Sequence, residues 1–327
     1  MTIIYRSRIT SSFRTENMLN FYSMVGDDSD LNSYYVTFGR DESWSDNEFD
    51  PNFAPPYPDD NVAGQADMWT RMLGAVKVPK EMLKPVFSRR DWGNASQPNP
   101  FTFKIGDIVV VNSAPYNRTS LGDGWLIYKC VDVPNDGLCS ITSLINKKDC
   151  MEQGGVWTPS ILSILPRGKS DAVDMEDGYL WEYLYTIPTD VAINECTKDY
   201  IIVPTPDELL NDKKKWGYDN VLEWYPNRYD LPHRMNCNTL RFRAFMDSIY
   251  FPSASKIGNN GFRQISVLKN PLERKNHPSD DDVKLTKGNV LPSEIETHSG
   301  EMIYMENRQP IIRALDQTEE INIVFQF

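Results

Sequence analysis

The stretch that decides the fold reads His298-Ser-Gly-Glu-Met-Ile-Tyr-Met-Glu-Asn-Arg-Gln-Pro-Ile-Ile-Arg-Ala-Leu-Asp-Gln-Thr-Glu-Glu-Ile-Asn-Ile-Val-Phe-Gln-Phe327. Its last residues alternate, with Ile321, Ile323, Phe325 and Phe327 on one face. A period of two residues is typical of a strand with one buried face. We therefore predict a strand whose end is tied into a sheet or covered by a partner. No nucleophile in the stretch has a base beside it, which indicates architecture rather than a reaction centre.

Similar alternation and short apolar runs predict strands in much of the chain, above all after residue 100. In Tyr179–Ile187 both faces are largely apolar, which predicts a strand buried between two layers. The predicted strands are Tyr34–Phe38, Phe101–Ile105, Asp107–Val111, Gly124–Val133, Tyr179–Ile187, Thr239–Tyr250, Phe262–Leu268, Met302–Glu306 and Glu320–Phe327.

Helical signals are fewer and lie between the strands. The clearest begins at Thr205, a capping residue followed by proline at the first helical position and glutamate at the third, and we expect Gly217 to end that helix. Asp60 is the expected cap of another. The predicted helices are Thr15–Val25 before Gly26, Asn61–Leu73, a short turn at Pro79–Leu83, and the helix from Thr205 to Gly217.

These elements predict a mainly β chain with inserted helices, an α+β protein of layered sheets. We expect a single chain, residues 1–327, with two closely packed lobes. Residues 1–100 are interpreted as mixed helix and loop with the first strands. Residues 101–327 are interpreted as β-rich layers with a helical insertion near residues 205–217.

Composition limits the classes of partner. The chain has 46 acidic and 34 basic residues, a net charge of −12, which argues against nucleic acid as its main partner because phosphates would be repelled. No apolar run approaches the length of a membrane helix. The start of the sequence lacks the apolar core of a signal peptide, so we expect a protein made in a cytoplasm.

Motifs for catalysis, cofactors and metals were not found. The five cysteines contain no Cys-x-x-Cys pair, and the three histidines are not at metal-binding spacing. Ser253-Ala-Ser-Lys256 matches a hydrolase pattern only formally, because its companion motifs are missing. Cys139 and Cys150 could lie close in a loop hairpin, but a reducing cytoplasm favours free thiols. We predict no cofactor, no metal and no enzymatic activity.

The candidate contact residues lie in two apolar segments outside the predicted strands. Proline excludes a helix in Pro51–Pro58, which suggests an extended arm on another surface or, alternatively, an ordered loop covering the chain's own core. The other segment is the helix at Pro206–Trp216. The predicted partner-contact residues are Phe53, Pro55, Pro56, Tyr57, Leu209 and Trp216.

Several blocks carry a resemblance to a known family, in family order along nearly the whole chain. The sequence resembles the baseplate wedge proteins of T4-like contractile-tailed phages, the products of gene eight. Its departures from that pattern lie mainly in the loops around Ser163–Glu176 and Ser279–Pro292. The blocks are Phe13–Tyr22, Phe53–Pro58, Arg89–Gly93, Asn112–Asn117, Gly178–Leu184, Gly261–Ser266 and the quoted C-terminal stretch.

The resemblance implies a multi-layer antiparallel β-sandwich with helix-containing loops. It also implies a homodimeric, non-catalytic subunit of the virion's tail baseplate, assembled in the host cytoplasm. The implied partners are a second copy and the wedge proteins encoded by genes six, seven and ten. One alternative is a carbohydrate- or receptor-binding tail module with glycan hydrolase activity, in which tryptophan side chains would form a platform for the carbohydrate. A metal-dependent hydrolase is a third reading.

Overall fold

The computed structural model describes residues 9–26, 28, 30–92, 102–112, 124–212, 215–216, 230–246, 261–312 and 318–327. Contacts divide the chain into two compact units that are interleaved in sequence. Unit one comprises residues 1–16, 85–239 and 327, and unit two comprises residues 17–84 and 240–326. The division near residue 100 stays a prediction, which limited proteolysis would test.

The described residues form short helices and many strands. The helices are α1 (Ser11–Ser23), α2 (Val62–Thr70), α3 (Lys147–Glu152), α4 (Thr189–Glu195), α5 (Pro206–Asn211) and α6 (Leu231–Arg234), with 3-10 turns at Lys80–Met82 and Pro292–Glu294. The strands are β1 (Tyr34–Gly39), β2 (Met72–Val78), β3 (Leu83–Ser88), β4 (Ile108–Asn112), β5 (Trp125–Asp132), β6 (Gly137–Cys139), β7 (Trp157–Pro159), β8 (Val173–Asp174), β9 (Leu180–Ile187), β10 (Tyr200–Ile202), β11 (Thr239–Met246), β12 (Gly261–Lys269), β13 (Asn289–Val290), β14 (Glu301–Ile312) and β15 (Glu319–Gln326).

Unit two is built on an antiparallel five-stranded sheet in the order β13-β2-β1-β12-β14. Its buried face packs around Tyr35, whose single hydroxyl proton is shared between the carbonyl oxygens of Leu285 and Lys287, at 3.0 and 2.9 Å. That pairing lets a polar tip be buried in an apolar core. β11 and β15 are neighbouring strands in the same unit, and Ile321 and Ile323 of β15 are buried, which confirms the alternation in the quoted stretch.

Unit one contains an antiparallel sheet in the order β4-β5-β9-β8 and the two-stranded pair β6-β7, and β10 pairs with the end of β3. Trp181 of β9 is fully buried, and the Phe103 ring meets it edge-on with centroids 5.0 Å apart. Trp92 stacks on Phe103 at 4.9 Å. These aromatic side chains therefore supply core packing, and β9 is buried on both faces as predicted.

The predicted class, mainly β with inserted helices and antiparallel sheets, is confirmed and is consistent with an α+β sandwich. Several details differ from the predictions. The first helix spans Ser11–Ser23 rather than Thr15–Val25, and β14 continues to Ile312 beyond the predicted end at Glu306. The helix expected to reach Leu73 ends at Thr70, because Met72 and Leu73 are recruited into β2 by pairing with β1, and its cap is Asn61 rather than Asp60. No strand forms at residues 102–105.

The helix predicted from Thr205 to Gly217 starts as expected but is much shorter. Thr205 forms the capping box with Glu208, and α5 then ends at Asn211. Trp216 lies in a turn and packs against Tyr185 of β9, with ring centroids 6.1 Å apart. The indole of Trp216 is therefore buried by a turn and not by a continued helix. Gly217, the predicted end of the helix, and the Ser253–Lys256 motif lie outside the described residues.

Candidate partner interface

The predicted arm, Pro51–Pro58, is irregular chain in unit two, and an anchor loop, residues 41–50, precedes it. The anchor loop begins where Arg40 leaves β1 with a φ of 57°, a left-handed conformation that is uncommon for a residue other than glycine. The Arg40 guanidinium lies 3.9 Å from the centre of the Trp44 ring. This cation–π contact helps to hold the turned chain in place.

A buried ion pair holds the anchor loop to β12. Arg263 donates from Nε and Nη2 to the two carboxylate oxygens of Glu48, at 2.7 and 2.6 Å. The two side chains are only 4% and 3% exposed. Arg263 also donates from Nη1 to the carbonyl oxygen of Asp41 at 2.9 Å, and Glu48 accepts from the backbone N–H of Trp44 at 3.0 Å. The pair is therefore well satisfied, as a buried pair must be.

The ion pair changes the pKa of the Glu48 carboxyl group. The hydrogen bonds from Arg263 lower the pKa of Glu48 below its ordinary range, and the bond from the Trp44 N–H acts in the same direction, against the opposing effect of burial. The carboxylate is thus ionised throughout the neutral range. The anchor loop and β12 are thus joined by an ion pair that water screens little, because both side chains are buried.

The arm itself is fastened to β14, an edge strand of the unit-two sheet. Asn307 donates from Nδ2 to the carbonyl oxygen of Pro56 at 3.0 Å, and Gln309 donates from Nε2 to that of Phe53 at 2.9 Å. The indole N–H of Trp44 donates to the carbonyl oxygen of Arg308 at 3.0 Å. An edge strand offers unpaired backbone groups to other chains, and a covering segment is one way to protect it.

The anchored chain presents large apolar side chains to solvent. Tyr57 is 92% exposed and Phe49 is 66% exposed. Phe53 and Pro55 are half-buried, and Pro56 is exposed. Rigidly held aromatic side chains lose little conformational entropy on binding, which makes them effective contact residues. The backbone of the arm covers its own sheet, as one of its two interpretations expected, and the side chain of Tyr57 is exposed to solvent. Contact of the arm with a partner stays a prediction.

The other predicted contact residues are placed differently. Leu209 is fully buried and Trp216 is 5% exposed, so both side chains belong to the packing of unit one. The exposed positions described beside them are Asp207, Asn211, Asp212 and Lys215. Their role in partner contact stays a prediction, which would have to act through this polar surface rather than through the two apolar side chains.

Two features of this surface were not predicted from the sequence. Phe49 stands in a stretch of acidic and polar residues, and an isolated aromatic residue there was the available signal. Glu48 and Arg263 are 215 positions apart, and no local pattern links them.

In the cysteine-containing loop of unit one, Cys139 and Cys150 form a disulfide. The expectation of free thiols there was wrong, because β6 and α3 bring the two Cα atoms to 5.8 Å, within the range that a disulfide spans.

Within the described ranges, no cluster of three or more His, Cys, Asp or Glu residues could hold a metal ion. Among the same residues, no helix has the length and apolar character needed to cross a bilayer.

Comparison with known proteins gives the family. The family model described as Bacteriophage T4, Gp8 matches residues 7–327. The baseplate wedge protein gp8 of Enterobacteria phage T4 is 55% identical over 330 residues, which cover 100% of this chain and 99% of that protein. The chain therefore belongs to the Gp8 family of phage baseplate wedge proteins, structural proteins of the virion's tail baseplate.

Proposed function

We propose that this chain is a non-catalytic homodimer that docks onto neighbouring wedge proteins during tail assembly, with the arm and anchor loop as one docking surface. The observation that carries the docking surface is Tyr57, which is 92% exposed on an arm whose backbone accepts hydrogen bonds from Asn307 and Gln309 of β14. Preorganised aromatic side chains are the commonest binding hot spots. Family membership supports the structural role, and the resemblance supports the products of genes six, seven and ten as neighbours.

The docking surface is tested by Tyr57→Ser and Phe49→Ser, each followed by the yield of complete baseplates in infected cells. Loss of a hot-spot side chain weakens binding by at least about tenfold, so we expect incorporation to fall accordingly. Val283→Ser is the matched control, because Val283 is also exposed in unit two but lies outside the arm and anchor loop. Normal incorporation of a folded Tyr57→Ser chain would contradict the proposal.

The homodimer is tested separately by sedimentation of the purified chain at micromolar concentration. We expect a particle of twice the chain mass, formed through one self-complementary patch on both subunits. A particle of single-chain mass would contradict the proposed homodimer but would not affect the proposed docking surface.

The absence of catalysis is tested by incubating the purified chain with polysaccharide from the host cell surface. We expect no cleavage products. Cleavage that a single carboxylate substitution abolishes would favour the carbohydrate-active alternative instead.

A further inference from the structure

A second surface lies in unit one, on the disulfide-closed segment, which we define as residues 137–159. Here α3, β7 and the residues between them line one side of a cavity of about 240 Å³. The cavity is lined by Lys104, Ile105, Val133, Met151, Gly155, Val156 and Trp157. All of these residues belong to unit one.

The walls of the cavity are apolar and open to solvent. Ile105, Met151 and Val156 are 41%, 45% and 44% exposed, although each lines the same hollow. Trp157 is 5% exposed, and its indole N–H donates to the carbonyl oxygen of Pro134 at 3.0 Å. Because its polar atom is already bonded, Trp157 contributes an apolar ring to the cavity.

The disulfide supports one wall. A Cβ atom at Gly155 would lie 2.8 Å from the sulfurs of both Cys139 and Cys150, so only glycine fits between the crosslink and the cavity. The Gly155 N–H donates to the carbonyl oxygen of Cys150 at 2.8 Å, and Val156 is bonded through its N–H to the Ser140 hydroxyl at 2.8 Å. The backbone of this wall is therefore held in place by the disulfide and by hydrogen bonds.

Size and charge restrict what the cavity can receive. Its volume is below the roughly 300 to 1,000 Å³ of typical small-molecule sites, but it is sufficient for one large side chain. Lys104 is the charged residue among its lining residues, and no ion pair of its ammonium group is found within the described part of the chain. A lysine beside an apolar hollow matches an apolar group that carries a nearby carboxylate.

We propose that this cavity is an anchor pocket for a large apolar side chain, flanked by a carboxylate, from another protein of the baseplate. The pocket is a docking surface in addition to the arm, and the proposal rests on the docking function proposed above. Interfaces commonly place an aromatic or aliphatic anchor in such a pocket and surround it with weaker contacts.

The first experiment uses 3-phenylpropionate as the probe and the full-length protein, observed through the methyl NMR signals of Ile105, Met151 and Val156. We expect the acid to bind about two- to fivefold more tightly than uncharged 3-phenylpropanamide, the range of an exposed charge pair. Lys104→Met should remove that preference and keep the binding of the amide. Failure of both probes to shift these signals, or equal binding of both to the unaltered protein, would overturn the proposal.

The second experiment measures baseplate incorporation of Val156→Glu, which places a charge in the pocket. We expect a loss of at least about tenfold. Ile145→Glu is the control, because Ile145 is 89% exposed in the same segment but does not line the cavity. Both altered side chains are exposed in part, so both variants should fold.

The outcomes separate this proposal from the docking role of the arm. Normal incorporation of folded Val156→Glu overturns the pocket alone, whatever Tyr57→Ser does. Loss of incorporation with Val156→Glu and not with Tyr57→Ser supports the pocket and removes the arm. If Val156→Glu instead abolishes the homodimer in sedimentation, the occupant is a second copy, and the proposal of a different protein is overturned.

Discussion

Replacing Glu48 by glutamine tests the idea that a buried ion pair fixes the anchor loop. The substitution keeps the shape of the side chain but removes its charge and one of its two acceptor oxygens. Arg263, only 4% exposed, would then lose the carboxylate charge that it meets through Nε and Nη2. Removing one partner of a buried pair costs about 3–5 kcal/mol, and we expect a value near the lower end, about 3 kcal/mol, because glutamine still accepts one hydrogen bond.

The structure offers a control with the same chemistry and less burial. Arg243 donates from Nε and Nη2 to the two carboxylate oxygens of Glu320 at 2.7 and 3.0 Å, also within unit two. The side chains of that pair are 16% and 36% exposed, so water screens the interaction. Glu320→Gln should therefore cost less than about 1 kcal/mol. The difference between the two variants measures the effect of burial at equal geometry.

The assay is denaturant or thermal unfolding, combined with hydrogen exchange of the anchor-loop amides. At about 2–4 °C per kcal/mol for a body of 150–250 residues, Glu48→Gln should lower the melting temperature by about 6–12 °C. The double variant Glu48→Leu with Arg263→Met should be closer to the unaltered protein than Glu48→Gln is, because it leaves no buried charge. Equal costs for Glu48→Gln and Glu320→Gln would refute the reasoning.

Three further predictions concern acid, reduction and helix capping. The pKa of Glu48 is lower in the folded chain than its unfolded value of about 4.3, so its contribution is present above that pH and lost as the pH falls through the lowered pKa. Unfolding measured from pH 7 to pH 3 should therefore show a smaller acid-dependent loss in Glu48→Gln. The Cys139–Cys150 disulfide closes a separation of 11 residues, so its reduction should destabilise residues 137–159 by about 3 kcal/mol on the loop-entropy model. Amide hydrogen exchange in this segment should become faster, and an unchanged exchange rate would contradict the prediction. Thr205→Ala should cost about 1 kcal/mol by opening the capping box, measured by denaturant unfolding, whereas an unchanged midpoint would show that α5 is held by packing alone.

The two proposed surfaces share a physical strategy. In each, exposed apolar side chains stand on irregular or short elements that a nonlocal bond makes rigid. In unit two that bond is the buried pair of Glu48 and Arg263, and in unit one it is the disulfide of Cys139 and Cys150. Rigid presentation lowers the entropy cost of docking, which suits a protein whose role is to join others.

Where local rules dominate, the sequence was a sufficient guide. The alternation in the quoted C-terminal stretch predicts β15, because side chains of a strand point alternately to its two faces. The capping box at Thr205 predicts the start of α5, because the bonds that make it lie within four residues. The arm was recognised from proline, which excludes helix without help from the rest of the chain. Family membership follows from blocks spread over the whole length.

The remaining features depend on groups that are distant in sequence and were decided only by the tertiary structure. β2 carries no clear period, and its pairing with β1 and β13 makes it a strand. The salt bridge between Glu48 and Arg263 joins groups 215 residues apart. The Trp216 side chain is buried because it packs on Tyr185 of β9. Burial, exposure and ion pairing are properties of neighbourhoods in space, which a linear pattern does not contain.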